Sequence, residues 1–127
     1  TVGGPEDAPV GAAVAAAAGP AGANAAGTTD LPGTAALLQR AAATVSGDTG
    51  VMHLATAVAS PVVALFGPTV REFGFFPYTR CATVLERDLA CRPCSAHGGE
   101  RCPLGHHDCL RTIAVATVEA AVLERMR

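Results

Sequence analysis

Residues 44–66 have the sequence TVSGDTGVMHLATAVASPVVALF, and this stretch decides the fold. A short run at Thr44-Val45-Ser46, which predicts a buried strand, is followed by a glycine-rich turn, a helical pattern over residues 51–59 and a β-branched run at 61–66. A strand, a turn, a helix and a strand in such quick succession predict a parallel βαβ unit. We therefore expect an α/β domain whose sheet is parallel.

The segments on both sides continue the alternation of helix and strand. Gly19-Pro20 should end a first, alanine-rich helix, and Asp30-Leu31-Pro32 is typical of the start of a second one. A strand between these helices is supported only by the rhythm of the elements, because Ala, Gly and Asn are poor strand formers. Helices are thus predicted near residues 7–18, 30–42 and 115–126, and strands within residues 21–27 and at 81–85.

Composition indicates one folded domain and argues against two classes of partner. Half of the 127 residues are hydrophobic and 16% are charged, so one domain with its own core is expected over residues 1–127. The net charge of −2, the lack of lysine and the small aromatic content leave little to bind nucleic acid. The apolar stretch Ala8–Gly19 is too short for a transmembrane helix, so we expect no transmembrane segment.

The turn after the run Thr44-Val45-Ser46 has the features of an anion site. Ligands bind at the carboxyl ends of parallel strands, where glycine lets the backbone come close and a helix N-terminus offers free N–H groups. Thr49, Gly50 and His53 are expected to converge there on one anion such as a diphosphate. At about 100° per residue, the helix should place one face toward the core and the opposite face outward. The core face comprises Val51, Leu54, Ala55 and Val58, and the outer face comprises Thr49, His53, Thr56 and Ser60.

Asp48 needs a different role, because a carboxylate repels a phosphate. Capping the helix and accepting hydrogen bonds from sugar hydroxyls both suit its charge, and the sequence leaves both open. Thr49 could also be a first-turn residue without a binding role, and His53 a solvated histidine. The turn lacks the glycine fingerprint of dinucleotide sites and the lysine of phosphate loops.

Four of the five cysteines form a C-x2-C-x7-C-x6-C pattern within a loop at residues 88–111, with Cys81 outside it. Two thiolates two residues apart can hold one tetrahedral ion, and two further ligands would complete a structural zinc site. Free thiols and disulfides are the alternatives. A site closed by four cysteines would leave no coordination position for catalysis. The candidate zinc ligands are Cys91, Cys94, Cys102 and Cys109.

The segments VSGDTGVMHLA at 45–55 and PVVALFGPT at 61–69 resemble the signature of glycosyltransferase family 9, the ADP-heptose heptosyltransferases of lipopolysaccharide synthesis. The flanking segments GGPED at 3–7 and GTTDL at 27–31 resemble further turns of that family, so the resemblance covers most of the chain. It implies a Rossmann-like parallel sheet with helices on both faces, as the C-terminal, donor-binding half of a two-domain GT-B enzyme. Such an enzyme transfers sugar without a catalytic metal.

The resemblance also implies ligands, partners and residue roles. The donor would be ADP-heptose and the acceptor a glycolipid of the cell envelope, with the catalytic base and the acceptor site in an N-terminal domain outside this sequence. The implied location is the cytoplasm, or the inner face of the membrane. The implied donor contacts are Glu6 with the ribose hydroxyls, Thr29 with the adenine, Thr49 and Gly50 with the diphosphate, and Asp48 and His53 with the sugar-phosphate end.

Other interpretations remain open beside the resemblance. Glu6 has the right chemistry for two ribose hydroxyls, but its position also suits the cap of a helix. The chain could belong to another GT-B sugar-nucleotide enzyme, such as an epimerase, which would prefer a uridine nucleotide to ADP. It could also be a non-catalytic module that binds a nucleotide sugar or zinc.

Overall fold

The computed structural model describes residues 1–99 and 101–127. Contacts between α-carbons divide the chain into two compact units, Thr1–Arg40 and Ala41–Arg127. The prediction of one domain over residues 1–127 stays a prediction. None of the helices in the described residues is both long and apolar enough to cross a bilayer.

The first unit contains two helices, α1 (Ala8–Ala17) and α2 (Leu31–Gln39), and each lies within a segment that the sequence predicted to be helical. Short 3-10 turns precede and follow α1. The carboxylate of Asp30 caps α2 by accepting a hydrogen bond from the backbone N–H of Gly33 at 2.8 Å. This is the cap that the sequence predicted, and it fixes where the second helix begins.

The strand predicted within residues 21–27 does not form, so that prediction is wrong. The segment instead lies along the start of the chain, where the N–H groups of Ala25 and Gly27 donate to the carbonyls of Thr1 and Gly3 at 2.9 and 3.0 Å. Small side chains give a strand little to pack with, which explains why these bonds do not extend into a regular ladder. Gly27 has a φ of 73°, a left-handed conformation that favours glycine and turns the chain there.

The second unit contains three strands and three helices: β1 (Thr44–Gly47), α3 (Gly50–Ala57), β2 (Val62–Phe66), β3 (Ala82–Glu86), α4 (Asp108–Arg111) and α5 (Val115–Arg125). The strands form a parallel sheet in the order β1-β2-β3. Helix α3 packs against β1 and β2, and α5 packs against β2 and β3. Successive side chains of the central strand β2 are buried, so both faces of the sheet are covered there.

The buried face of α3 differs from the predicted one. Met52 and Ala55 are fully buried, whereas Leu54 of the predicted core face is only half-buried. Ser60, which was predicted to face outward, is 2% exposed and its hydroxyl hydrogen-bonds that of Thr44 at 2.8 Å. The helical angle cannot place Ser60, because α3 ends at Ala57 and the chain then reverses through a residue of positive φ.

Candidate functional site

The candidate site begins where β1 ends at Gly47 and α3 starts at Gly50. Thr49 is the N-cap of α3, because its hydroxyl accepts a hydrogen bond from the backbone N–H of Met52 at 3.4 Å. Its side chain is therefore committed to the helix, which leaves its backbone N–H as the group for a ligand. This geometry rules out Asp48 as the cap of α3, and it makes Thr49 a capping residue, whose binding role stays a prediction.

Asp48 is held by a residue that lies just after the neighbouring strand β2. One carboxylate oxygen, Oδ2, accepts a hydrogen bond from the hydroxyl of Thr69 at 2.8 Å. Thr69 is 1% exposed and closes the turn that follows β2. Within the described residues, the other oxygen, Oδ1, receives no hydrogen bond. The half-buried carboxylate is thus fixed through one oxygen and can accept a hydrogen bond from a ligand hydroxyl through the other.

The first turn of α3 is open. Gly50 is exposed, and a β-carbon added there would meet no atom within 4 Å. The first N–H groups of a helix have no partner within the helix and carry its partial positive charge. His53 is half-buried one turn further on, where its backbone N–H donates to the Thr49 carbonyl at 3.4 Å. The structure thus brings the four predicted residues from Asp48 to His53 together around one helix N-terminus.

Glu6 and Thr29 lie in the first unit, on two turns that touch. The N–H of Gly27 donates to the Gly3 carbonyl, and a β-carbon on Gly27 would lie 2.9 Å from the α-carbon of Pro5. The exposed Glu6 does not cap the first turn, because that role belongs to Asp7, whose carboxylate accepts the Gly4 N–H at 2.9 Å. The alternative of Glu6 as a helix cap is therefore wrong.

The hydroxyl of Thr29 hydrogen-bonds that of Thr34 at 2.8 Å. Thr34 is buried in α2, so this bond ties the half-buried Thr29 to the start of the helix. The Glu6 carboxylate folds back over Gly4 without serving as a cap. Glu6 is thus exposed at the surface of the first unit, and Thr29 is half-buried and held by its bond to Thr34.

The sequence did not single out Arg92, which lies between the first two cysteines of the loop. Its side chain is 6% exposed, and Nη2 donates to the Thr69 carbonyl at 2.7 Å and to Glu86 Oε2 at 2.8 Å. Nη1 donates to the carbonyl of Arg87. The position of Arg92 between two cysteines was the only signal in the sequence, and the cysteine pair was interpreted as a metal site instead.

The cysteine loop encloses a cavity of about 110 Å³, lined in part by Cys94, Cys102, Cys109 and His107. Cys91 is not part of this lining, and all five cysteines are free thiols. In the described residues, no three or more His, Cys, Asp or Glu side chains are arranged to hold a metal ion. The zinc site predicted from Cys91, Cys94, Cys102 and Cys109 is not assembled by these side-chain positions and stays a prediction.

The pKa values of two thiols that line the cavity are shifted in opposite directions. The backbone N–H of His107, helped by those of Leu104 and its neighbours, lowers the pKa of the Cys102 thiol, because hydrogen bonds to sulfur stabilise the thiolate. Burial, and then the charge of Cys94, raise the pKa of the Cys109 thiol. The loop therefore contains one thiol whose pKa is lowered and one whose pKa is raised.

Cys102 is expected to react with iodoacetamide at lower pH than Cys109, since the thiolate is the nucleophile. The pH midpoint of the labelling rate should be lower for Cys102 than for Cys109, because the pKa of the first thiol is lowered and that of the second is raised. Peptide mass spectrometry after timed labelling, in the presence of a chelator, measures both rates in one sample. Faster labelling of Cys109 throughout the pH range would contradict the prediction.

Comparison with known proteins identifies the family and the fold. The family model described as glycosyltransferase family 9 (heptosyltransferase) matches residues 2–104. The structure of E. coli ADP-heptose lps heptosyltransferase II superimposes with a TM-score of 0.78 at 27% identity, over 98% of this chain and 35% of that one. The structure of the glycosyl transferase family 9 from Veillonella parvula gives a TM-score of 0.74 at 24% identity and shows the fold alone.

Similarity also extends to curated sequences. Lipooligosaccharide heptosyltransferase 2 of Campylobacter jejuni is 35% identical over 69 residues, which are 54% of this chain and 21% of that protein. Lipopolysaccharide heptosyltransferase 1 of Pseudomonas aeruginosa is 44% identical over 64 residues, which are 50% of this chain and 18% of that protein. The chain therefore spans about a fifth of the length of these relatives.

The covered parallel sheet, with polar turns at its carboxyl edge, defines a domain of the Rossmann-like α/β class, as the sequence predicted. The chain belongs to glycosyltransferase family 9.

Proposed function

We propose that this chain is the C-terminal, donor-binding domain of a GT-B heptosyltransferase that transfers heptose from ADP-heptose to a lipopolysaccharide-type acceptor. The observation that carries the proposal is the polar turn Asp48-Thr49-Gly50 at the open N-terminus of α3, in a chain of family 9. A helix N-terminus binds anions through its free N–H groups and its dipole. A nucleoside diphosphate supplies the matching anion.

The diphosphate would lie against the backbone N–H groups of Thr49 and Gly50. During transfer, the bond from the sugar to the diphosphate breaks and negative charge grows on the departing oxygen. Fixed N–H dipoles, together with the His53 side chain, would stabilise that charge without a metal ion. These residues bind and orient the donor. The base that activates the acceptor would come from the N-terminal domain.

Asp48 would face the sugar, since its charge keeps it from the diphosphate. Thr69 holds one of its oxygens, and the free oxygen suits a sugar hydroxyl. In the first unit, Glu6 would accept hydrogen bonds from the ribose hydroxyls and Thr29 would lie against the adenine. The acceptor would be a glycolipid, reached in the cytoplasm or at the inner face of the membrane.

Calorimetric titration of the 127-residue chain with ADP, and with UDP as the control, tests the proposal. We expect ADP to bind and UDP to bind at least tenfold more weakly, which is a difference of about 1.4 kcal/mol. A preference for UDP would favour the epimerase-like alternative. A folded chain that binds neither nucleotide would contradict donor binding by this domain.

Replacing His53 with alanine is expected to weaken ADP binding about tenfold or more, because a hydrogen bond to a charged group contributes about 1.5–3 kcal/mol. The thermal midpoint should change little, since His53 is only half-buried and packs outside the core face of α3. Titration and a thermal scan of the same sample separate the two effects. The matched control is His97→Ala, in the cysteine loop, which should bind ADP like the unmodified chain.

A further inference from the structure

A chain of hydrogen bonds connects the cysteine loop to the Asp48 carboxylate. Nη2 of Arg92 donates to the backbone carbonyl of Thr69 at 2.7 Å, and the hydroxyl of Thr69 donates to Oδ2 of Asp48 at 2.8 Å. Both connecting side chains are buried: Thr69 is 1% exposed and the Arg92 side chain 6%. Buried hydrogen bonds of this kind are stronger and more restrictive than those in water.

The loop is attached to the same turn at a second point. The backbone N–H of Cys94 donates to the carbonyl of Pro68 at 3.3 Å, next to the bond that Arg92 makes to Thr69. The guanidinium of Arg92 is itself fixed by Glu86, at the end of β3. Three neighbouring strand ends are thereby linked: Asp48 follows β1, Thr69 follows β2 and Glu86 ends β3.

We propose that Thr69 and Arg92 are positioning residues that fix the Asp48 carboxylate for the sugar of the donor, so that the cysteine loop contributes to sugar recognition. This inference rests on the proposed function, because it takes Asp48 as the contact to the sugar. A carboxylate next to a helix N-terminus can otherwise turn toward the free N–H groups of that helix. The hydroxyl of Thr69 fixes the carboxylate through Oδ2, so that Oδ1 is the oxygen left to accept a hydrogen bond from a ligand.

Arginine suits this position better than lysine. Its planar fork reaches the Thr69 carbonyl and the Glu86 carboxylate with the same nitrogen, while the other terminal nitrogen reaches Arg87. A lysine has a single nitrogen at the end of a flexible chain and would lose at least one of these partners. The turn that carries Thr69 would then be free to shift relative to Asp48.

The test compares ADP with ADP-heptose on the 127-residue chain. The unmodified chain should bind ADP-heptose more tightly than ADP. The dissociation constant for ADP divided by that for ADP-heptose reports the sugar contact. Thr69→Val removes the hydroxyl but keeps the shape of the side chain. It should lower this ratio about tenfold, through weaker binding of ADP-heptose, and leave the affinity for ADP within about twofold.

Thr69→Ser keeps the hydroxyl and should restore the ratio, which a role in packing alone would not explain. Arg92→Lys should lower the ratio in the same direction as Thr69→Val. Arg111→Lys, at an exposed arginine of α4, is its matched control and should leave the ratio unchanged. A thermal scan of each variant verifies that it is folded.

The outcomes separate this inference from the proposed function. If the unmodified chain binds neither ADP nor ADP-heptose, donor binding fails and the inference fails with it. If it binds ADP but has no preference for ADP-heptose, donor binding stands and the sugar role of Asp48 is overturned. If the preference exists but Thr69→Val and Arg92→Lys retain it, the positioning role alone is overturned.

Discussion

Replacing Phe66 with alanine is expected to lower the free energy of unfolding by about 3–5 kcal/mol. Phe66 is 0% exposed at the end of β2, and its ring lies 4.1 Å from the ring of Phe76, centroid to centroid. The strand is covered on both faces, so its surroundings can collapse only partly into the space that the ring leaves. A small domain is stabilised by about 5–15 kcal/mol in total, so this single change removes a large part of it.

Urea titration followed by far-ultraviolet circular dichroism measures the loss. The matched control is Phe73→Ala, in the aromatic segment after β2, where the side chain is 37% exposed. We expect that variant to lose less than about 1 kcal/mol, since surface substitutions have small effects. Equal losses in the two variants would show that the Phe66–Phe76 contact is not the centre of the core.

The elements that the sequence predicted correctly are those with local causes. Asp30 marks the start of α2 because a carboxylate caps the third N–H of a helix, which involves residues three apart. The βαβ unit from Thr44 to Phe66 follows from its period and its glycine turn. The strand within residues 21–27 failed because nothing in its own composition supported it, and only its neighbours suggested it.

The burial of individual side chains could not be predicted without knowing how the strands assemble into the sheet. Val45 was expected in a buried strand, but β1 lies at the edge of the order β1-β2-β3 and this side chain is 47% exposed. Met52 was not assigned to the core face and is fully buried. The rotation of a helix about its own axis is set by what it packs against, which periodicity over two turns defines only roughly.

In the candidate site, too, the sequence predicted the residues that are neighbours along the chain and missed those that the fold brings together. The residues from Asp48 to His53 were predicted together because the strand end, the turn and the first helical turn are adjacent in sequence. The two residues that control Asp48 were not, since Thr69 is 21 positions away from it and Arg92 a further 23 from Thr69. Such bonds depend on the order of the strands, which places their carboxyl ends side by side.

The strongest effect on binding is expected from Gly50→Leu, which should weaken the affinity for ADP at least about a hundredfold, or 2.7 kcal/mol. Gly50 is exposed, and a β-carbon there meets no atom within 4 Å beyond its chain neighbours and its own helix, so a side chain can extend outward from this position. The same space is where a diphosphate must approach the backbone N–H groups of Thr49 and Gly50. The added side chain therefore excludes the ligand and leaves the protein intact.

Stability should change by about 1 kcal/mol at most, and in the favourable direction, because leucine is a better helix former than glycine. Unchanged stability with weaker binding is informative, since a variant that folds at least as well as the original chain cannot lose its affinity for ADP through unfolding. Titration with ADP and urea denaturation of the same preparation give both numbers. Ala57→Leu, at the exposed far end of α3, adds a similar side chain to the same helix and should leave the affinity for ADP unchanged.

A series of sizes at residue 50 distinguishes steric exclusion from a change in helix dynamics. Gly50→Ala adds only the β-carbon and should reduce the affinity less than Gly50→Leu, although both substitutions favour the helix. Exclusion by size predicts affinities in the order glycine, alanine, leucine. If Gly50→Leu binds ADP like the unmodified chain, the diphosphate does not lie at the N-terminus of α3. The anion site would then have to be sought elsewhere in the chain.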